Sequence, residues 1–240
     1  MICLTVDNLG GIAEGQPPDP SHPALAIGLP RLLALFAEFD LETTFFVEGY
    51  AAEVFAGAAT QIRDAGHEIG LHAWKHEAWG ELEPDREREL LARGLDAFER
   101  HLGLRPRGFR PPGGKLTEAS AALFARHGLD YVSTSRGNER GLRGLPFEWK
   151  RVDAFALIER FGGRQKPEPY FAEWTREALA HQTRTPDAPW LVVVHPFCAG
   201  MDPHFDAFAG FVRALAGALG PRAFRTLGSL FPAAIADVAS

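Results

Sequence analysis

Two histidines four residues apart, His72 and His76, are the side chains of this sequence best suited to hold a metal ion. They stand where the short apolar run Glu-Ile-Gly-Leu ends. On a helical turn, residues i and i+4 lie on the same face, so both imidazoles could reach one ion. Neutral imidazole is a common ligand of zinc and similar divalent metals. The pair therefore predicts a metal site, although two surface histidines at this spacing also arise by chance.

Polar side chains follow several short strands that the sequence predicts. In a βα barrel, the carboxyl ends of the strands form the rim on which the βα loops build an active site. We therefore expect these side chains to converge on one end of the fold. The residues are Asp7, Glu48, His72, Arg110, Asp153 and His195.

The elements that must position these residues alternate between short β-branched or apolar runs and longer amphipathic stretches, a pattern typical of repeated βα units. We predict strands at 2–6, 43–47, 68–71, 108–110, 131–134, 147–152, 191–194 and 224–226. We predict helices at 29–39, 51–65, 84–102, 117–127, 169–182 and 205–219, with a closing helix after them. The pattern indicates an α/β fold, a distorted (β/α)7-8 barrel of TIM-like type, forming a single domain over residues 1–240.

Composition narrows the classes of function. The chain has 240 residues, 46% of them hydrophobic, which is enough for a sizeable core. Its net charge is −6, so we expect neither a nucleic-acid partner nor a membrane partner, and a small molecule or a saccharide fits better. Cys3 and Cys198 lie far apart and outside any CxxC pattern, so we expect free thiols. With no leader-like segment at Met1, we expect a cytoplasmic protein, unless a signal peptide has been removed.

The order of four motifs resembles a known family. Thr-Val-Asp-Asn at 5–8 precedes His-Ala-Trp-Lys-His at 72–76, Arg-Pro-Pro-Gly-Gly at 110–114 and Leu-Val-Val-Val-His-Pro at 191–196. This order resembles the polysaccharide deacetylases of the NodB-homology superfamily, which are carbohydrate esterase family four and its relatives. The segment 145–149 leading to Asp153, and Gly200 after His195-Pro196, look closer to the branch of cytoplasmic peptidoglycan-deacetylase-like proteins and metal-independent allantoinases.

The resemblance implies roles in amide hydrolysis. Asp7 matches the base that takes a proton from the attacking water. Arg110 matches the arginine that orients this aspartate and favours its ionised form. His195 matches the general acid, and Asp153 is the carboxylate that we expect to keep it protonated. The backbone N–H of Gly113 occupies the position of the oxyanion donor.

The resemblance also implies a divalent metal, for which we expect zinc, with one departure from the family pattern. His72 and His76 match two ligands, but the family's third ligand is an aspartate and this chain has Asn8. A neutral amide oxygen should hold a cation less tightly than a carboxylate. Three outcomes stay open: weak binding through His72, His76 and Asn8; completion by Glu14, Glu48 or Asp7; or no metal.

Structural roles are alternatives for the same residues. Asp7 could cap a loop, Arg110-Pro-Pro could be a rigid turn, and His195 could be a satisfied core histidine. Trp74, Trp79 and Trp149 could form a platform that stacks on a sugar, although large aromatics more often belong to the core. The segment 136–166 is rich in charges and glycines, and we expect it to shape the pocket.

Three functions follow. The first is a metal-assisted hydrolase of carbon–nitrogen bonds that removes acetyl from an N-acetylated sugar or a related small molecule. The second is a metal-independent hydrolase of cyclic amides, like the allantoinases. The third is an inactive carbohydrate-binding barrel, which the presence of Asn8 favours and the presence of a base and an acid opposes. The resemblance also makes a homo-oligomer an expectation, because relatives in that branch form symmetric assemblies.

Overall fold

The computed structural model describes residues 1–12, 16–137 and 141–231. Glu14, one of the carboxylates considered for the metal, lies outside these residues, as does most of the predicted closing helix. None of the helices in the described ranges combines the length and the apolar character needed to cross a bilayer.

Seven parallel strands within the described residues form one curled sheet, a half-barrel, in the order β6-β5-β4-β3-β2-β1-β7. The ladder places Thr5 of β1 opposite Thr44 of β2 and Val193 of β7. The α/β barrel-like class predicted from the sequence is thereby confirmed. The strands are β1 (Ile2–Asp7), β2 (Thr44–Val47), β3 (Glu68–Leu71), β4 (Gly108–Phe109), β5 (Tyr131–Val132), β6 (Arg143–Gly144) and β7 (Trp190–Val194).

Helices cover the sheet because their apolar faces match the buried strands. Every residue of β1 and β7 is buried, as expected for parallel strands covered on both sides. Pro84 opens the longest helix and Gly103, at φ 63°, ends it in the left-handed conformation that glycine tolerates best. The helices are α1 (Leu29–Glu38), α2 (Gly49–Val54), α3 (Ala56–Asp64), α4 (Pro84–Leu102), α5 (Ser120–His127), α6 (Asp153–Leu157), α7 (Pro167–Arg184) and α8 (Phe205–Leu219).

Some predicted elements are wrong in detail. The helix expected over 51–65 is two helices, because Phe55 leaves helical geometry at φ −123° and ψ 40° and its side chain is buried in the core. The strand expected over 147–152 is a 3-10 turn at Trp149–Arg151, after which Val152 alone forms a parallel bridge with Val193. The strand expected near 224–226 is a single bridge between Phe224 and Ile2. The short strand β6 was not predicted.

Parallel strands bring their carboxyl ends to the same edge of the sheet. Asp7 ends β1, while Glu48, His72, Arg110 and His195 each directly follow a strand. Asp153 reaches this edge by another route, as the first residue of α6. The fold therefore gathers all six polar residues, as the sequence predicts, although one of them does not follow a strand.

Candidate active site

A buried ion pair joins the ends of β1 and β4. Arg110 Nη1 lies 2.6 Å from Asp7 Oδ1 and 2.8 Å from Thr5 Oγ1, and its Nη2 donates to Ser133 Oγ at 2.9 Å. The Arg110 side chain is 1% exposed. Burial lowers the pKa of Arg110, and the Asp7 carboxylate opposes that shift. The pair therefore gives Asp7 a fixed orientation beside a permanent positive charge.

Aromatic rings complete the enclosure of Arg110. Its guanidinium lies 4.3 Å from the ring centre of Phe46 and 5.4 Å from that of Phe147. Among the described residues, no hydrogen-bond partner is found for its Nε. Cation–π contacts offset part of the loss of hydration at this face of the guanidinium.

A second pair lies at the end of β7. His195 Nδ1 is 2.6 Å from Asp153 Oδ1, and Asp153 Oδ2 accepts the backbone N–H groups of His195 at 2.9 Å and Ala199 at 3.1 Å. Ala154 N–H donates to Oδ1 at 2.6 Å. Although burial by itself lowers the pKa of His195, the Asp153 carboxylate raises it above the ordinary value. Because Nδ1 faces the carboxylate, Nε2 is the nitrogen left to exchange a proton with a ligand.

His72 and His76 come together through a turn, so the helical geometry predicted from their spacing is wrong. His72 directly follows β3, and the chain then passes through left-handed conformations at Ala73 (φ 62°) and His76 (φ 71°). The two ring centres end 5.0 Å apart. Hydrogen bonds from the N–H groups of Trp74 and Lys75 to Glu77 stabilise this turn and offset the cost of its two left-handed residues.

The protonation of both rings suits metal binding. His72 Nδ1 donates to the carbonyl oxygen of Arg110 at 2.8 Å, because a carbonyl can only accept, and this leaves Nε2 with a free lone pair. Burial lowers the pKa of His72 to about 3. The pKa of His76 is also lowered, by partial burial of its ring and by His72 and His195, although the residue as a whole is exposed. Both imidazoles are therefore neutral near pH 7.

Asn8, the residue predicted as the third metal ligand, is a weaker donor than the two histidines. Asn8 is left-handed at φ 56°, and its Oδ1 accepts the N–H of Gly10 at 2.8 Å. In the described parts of the chain, no three His, Cys, Asp or Glu side chains are grouped to hold a metal ion. The donor chemistry of His72 and His76 fits a divalent ion, to which Asn8 would add the second lone pair of a neutral oxygen and Asp7, on the same cavity wall as the histidines, a carboxylate already paired with Arg110.

One cavity is lined by Asp7, Arg110 and the three histidines His72, His76 and His195. Its volume is ≈ 100 Å³, and Asn8, Glu48 and Asp153 are not among its lining residues. Gly113, at φ 76°, holds the left-handed conformation that glycine adopts without strain. The lining residues are Asp7, His72, His76, Arg110, Pro111, Pro112, Gly113, Phe147, Trp149, Val152, Phe155, Val193 and His195.

A larger hollow of ≈ 380 Å³ is not the candidate site. It is lined by Asp40, Glu42, Arg222 and other residues near the amino ends of β1 and β2, and no predicted site residue lines it. In parallel α/β folds the chemistry belongs to the opposite end.

The tryptophans predicted as a possible sugar platform separate into two groups. Trp74 and Trp79 are buried in the hydrophobic core. Trp149 is 41% exposed and lines the cavity. Four of the cavity residues come from the segment 136–166, which was expected to shape the pocket.

The sequence predicts Glu48 at the end of a strand but does not show that its carboxyl group is buried. Its side chain is buried, and its Oε2 has no hydrogen-bond partner within the described residues. Burial raises the pKa of Glu48 to about 8, and Asp7 adds to the shift while the N–H of Leu9 opposes it. A glutamate at the end of β2 is therefore a neutral acid near pH 7, which only its depth in the fold reveals.

The sequence of the chain is similar to those of known deacetylases. A family model described as polysaccharide deacetylase matches residues 21–132. A peptidoglycan deacetylase of Helicobacter pylori is 32% identical over 128 residues, which cover 52% of this chain and 44% of that protein. The matches cover less than half of the length of the first curated relatives.

Solved structures extend the similarity to nearly the whole chain. A Mycobacterium smegmatis protein assigned as a polysaccharide deacetylase is 27% identical, with a TM-score of 0.76 over 91% of this chain and 84% of that one. An allantoinase structure, 16% identical, superposes with a TM-score of 0.71 over 91% of each chain and supports the fold alone. The chain is therefore similar to polysaccharide deacetylases in sequence over residues 21–132 and in fold over nearly its whole length. Its place in the peptidoglycan-deacetylase and allantoinase-like branch stays a prediction.

Proposed function

We propose that this protein hydrolyses an amide carbon–nitrogen bond, removing acetyl from an N-acetylated sugar. The observation that carries the proposal is the presence of Asp7 and His195, each with a buried partner of opposite charge, on the wall of one cavity. A site of this kind can take a proton on one side and return it on the other. The name of the Helicobacter pylori relative, a peptidoglycan deacetylase, supports a saccharide as the substrate class.

The proposed reaction needs a base for water and an acid for the leaving amine. Asp7 accepts a proton from water as the water oxygen bonds to the carbonyl carbon. When the carbon–nitrogen bond breaks, the Nε2 proton of His195 goes to the amine, so the products are acetate and a free amine. Arg110 and Asp153 act as positioning residues, since each contacts the reactive side chain.

Negative charge that develops on the carbonyl oxygen needs a donor. Gly113 lines the cavity, and we propose its backbone N–H for this role. Hydrogen bonds aimed at a developing oxyanion are commonly worth about 2.7–4 kcal/mol in the barrier. The left-handed backbone of Gly113 is a conformation that few other residues would hold at this point.

The residues proposed to hold a divalent ion, for which zinc is our expectation, are His72, His76 and Asn8. When bound, such an ion would polarise the carbonyl and lower the pKa of a bound water. Asn8 brings no charge and already accepts one hydrogen bond. We therefore propose a weaker site than one completed by a carboxylate.

The position of Asn8 also favours a second candidate, a metal-independent hydrolase of cyclic amides. In that case His72 and His76 would hold water and substrate by hydrogen bonds. An inactive sugar-binding barrel is less well supported, because a binding module needs neither the Asp7 base nor the His195 acid. Cytoplasmic location, a homo-oligomer and a domain over residues 1–240 stay predictions.

The test combines metal content with activity. Tag-free protein is assayed for zinc and other transition metals by elemental analysis, beside His72→Ala and the matched control His101→Ala in the last turn of α4. Acetate release from N-acetylglucosamine oligomers and ring opening of cyclic ureides are then measured. We expect deacetylation, with bound metal lost only in His72→Ala.

Other outcomes decide between the alternatives. A metal-free wild type that opens cyclic ureides supports the second candidate and overturns the first. Saccharide binding without either turnover, at several metal concentrations, overturns both enzymes in favour of a binding barrel.

A further inference from the structure

Three large aromatic side chains are exposed in a continuous group beside the cavity. Trp149 is 41% exposed, Phe155 48% and Phe161 40%. The ring centres of Trp149 and Phe155 are 4.9 Å apart, and those of Phe155 and Phe161 are 5.8 Å apart. We call these three residues the aromatic rim. Contiguous exposed apolar groups on a folded protein commonly mark a binding surface.

The aromatic rim is continuous with the proposed active site. Trp149 and Phe155 belong to the cavity wall. At the other end of the rim, the ring of Phe161 lies 6.4 Å from Phe197, whose ring is 4.8 Å from that of His195. One end of the rim, Trp149 and Phe155, therefore lines the cavity, and the other end, Phe161, is linked to His195 through the ring of Phe197. A ligand that is held in the cavity and extends out of it on this side must cross these rings.

A positive charge stands at the outer end of the rim. The Arg160 guanidinium lies 4.6 Å from the ring centre of Phe161 and 5.7 Å from that of Phe197. Within the described part of the chain, no Asp or Glu carboxylate pairs with Arg160. Lys150 and Arg151, by contrast, both pair with Glu177.

The local charge is opposite in sign to that of the whole chain. Residues 150–166 contain five Lys or Arg residues and two acids, whereas the complete chain has a net charge of −6. One of the two acids is Asp153, which is buried against His195. Lys150 and Arg151 are paired with Glu148 and Glu177, so the attraction for an anionic ligand at this segment comes mainly from Arg160, Arg164 and Lys166.

We propose that the aromatic rim and Arg160 form a second sugar subsite, which binds a carboxylate-bearing sugar next to the N-acetylated sugar in the cavity. The C–H face of a sugar ring is apolar and packs on an aromatic face. A guanidinium offers paired N–H donors that match a carboxylate, and Arg160 has no carboxylate partner to give up among the residues that the structure describes. The inference rests on the proposed function and narrows its substrate class to acidic glycans.

The test measures binding separately from turnover. Two tetrasaccharides are compared: one of N-acetylglucosamine alone, and one that alternates it with N-acetylmuramic acid, which carries a carboxylate. Trp149 is the reporter, because the other four tryptophans are at most 3% exposed and its fluorescence should respond to a stacked sugar. Calorimetry gives an independent Kd.

We expect the acidic tetrasaccharide to bind more tightly to wild type. Arg160→Gln should weaken that binding by about 1.4- to 5-fold, the range for an exposed ion pair, and leave the neutral tetrasaccharide unchanged. The preference should shrink in high salt. Arg222→Gln, which removes an exposed cation in the hollow at the opposite end, is the matched control and should change neither Kd. Trp149→Ala should weaken the binding of both sugars.

Failure of the subsite and failure of the proposed function give different results. Equal binding of the two tetrasaccharides by wild type, or a full preference retained in Arg160→Gln, overturns the subsite even if deacetylation is observed. Preferential binding of the acidic sugar with no acetate release upholds the subsite and overturns the proposed deacetylation.

Discussion

Replacement of Asp153 by asparagine is the change that most directly tests the proposed acid. Asp153 is fully buried and accepts four hydrogen bonds, two of them from His195. The Asp153→Asn variant would keep nearly the same side-chain shape and lose the negative charge. One carboxylate oxygen would become an NH₂ group, which cannot accept the two N–H groups that now face that oxygen.

The expected shift follows from the balance of forces on His195. Burial lowers its pKa, and the Asp153 carboxylate more than reverses that effect. An opposite charge at hydrogen-bond distance favours the protonated ring, so the pKa of His195 should be lower in the variant than in wild type. Each unit by which the pKa falls corresponds to about 1.4 kcal/mol between the two protonation states.

The sign of the effect on activity is fixed by the role of the proton. A general acid works only while it is protonated, so kcat falls as pH rises through the pKa of His195. In wild type this basic limb should lie above the ordinary histidine value of 6.5. In Asp153→Asn it should move to lower pH, leaving little activity at pH 7.

Stability changes in the same pH range. A pKa raised in the folded state adds stability below the unfolded value and loses it as pH rises through the folded value. Asp153→Asn should therefore lose most stability, relative to wild type, at mildly acidic pH. Groups left without a partner cost about 1–3 kcal/mol each at every pH.

The assay is a pH profile of kcat, together with an NMR titration of His195 in the resting protein. Asp130→Asn is the matched control, because Asp130 pairs with Arg107 at the opposite end of the sheet and should leave the profile unchanged. If folded Asp153→Asn keeps the basic limb of wild type, His195 is not the acid whose pKa Asp153 controls. The NMR titration decides the same point if the variant is inactive.

Two further predictions concern the other buried acids. Asp7→Asn should lower kcat by about 100- to 10,000-fold through loss of the base. It should also lower the melting temperature, because buried Arg110 loses its counter-charge. Near-normal kcat in the folded variant would exclude Asp7 as the base. Because the pKa of Glu48 is raised from 4.5 to about 8, the folded protein holds this proton more tightly, and stability should fall as pH rises between these values. This proton contributes a decrease of about 1.4 kcal/mol in the free energy of unfolding per pH unit. Denaturant unfolding of Glu48→Gln at several pH values should show that this contribution is lost. Parallel pH dependences of the two proteins would contradict the assignment.

The sequence by itself determined the class of fold and the edge at which the site forms. Local patterns set both: the β-branched apolar run before His195 is typical of a covered parallel strand, and a polar residue that directly follows such a strand lies at the carboxyl edge of the sheet. The predicted bounds of α4, α8 and β3 agree with the structure because each carries its own start, stop or period.

Only the tertiary structure decided how the site residues meet. His72 and His76 approach each other through a left-handed turn, and Asp153 meets His195 across 42 positions of sequence. No local period encodes either contact. The neutral acid at Glu48 likewise results from burial, and the exposed rim beside Arg160 from contacts between rings on three short helical elements. Residue types and strand ends are local properties that the sequence shows, whereas burial and charge pairing depend on the whole chain, which is why the contacts and protonation states of this site are visible only in the folded protein.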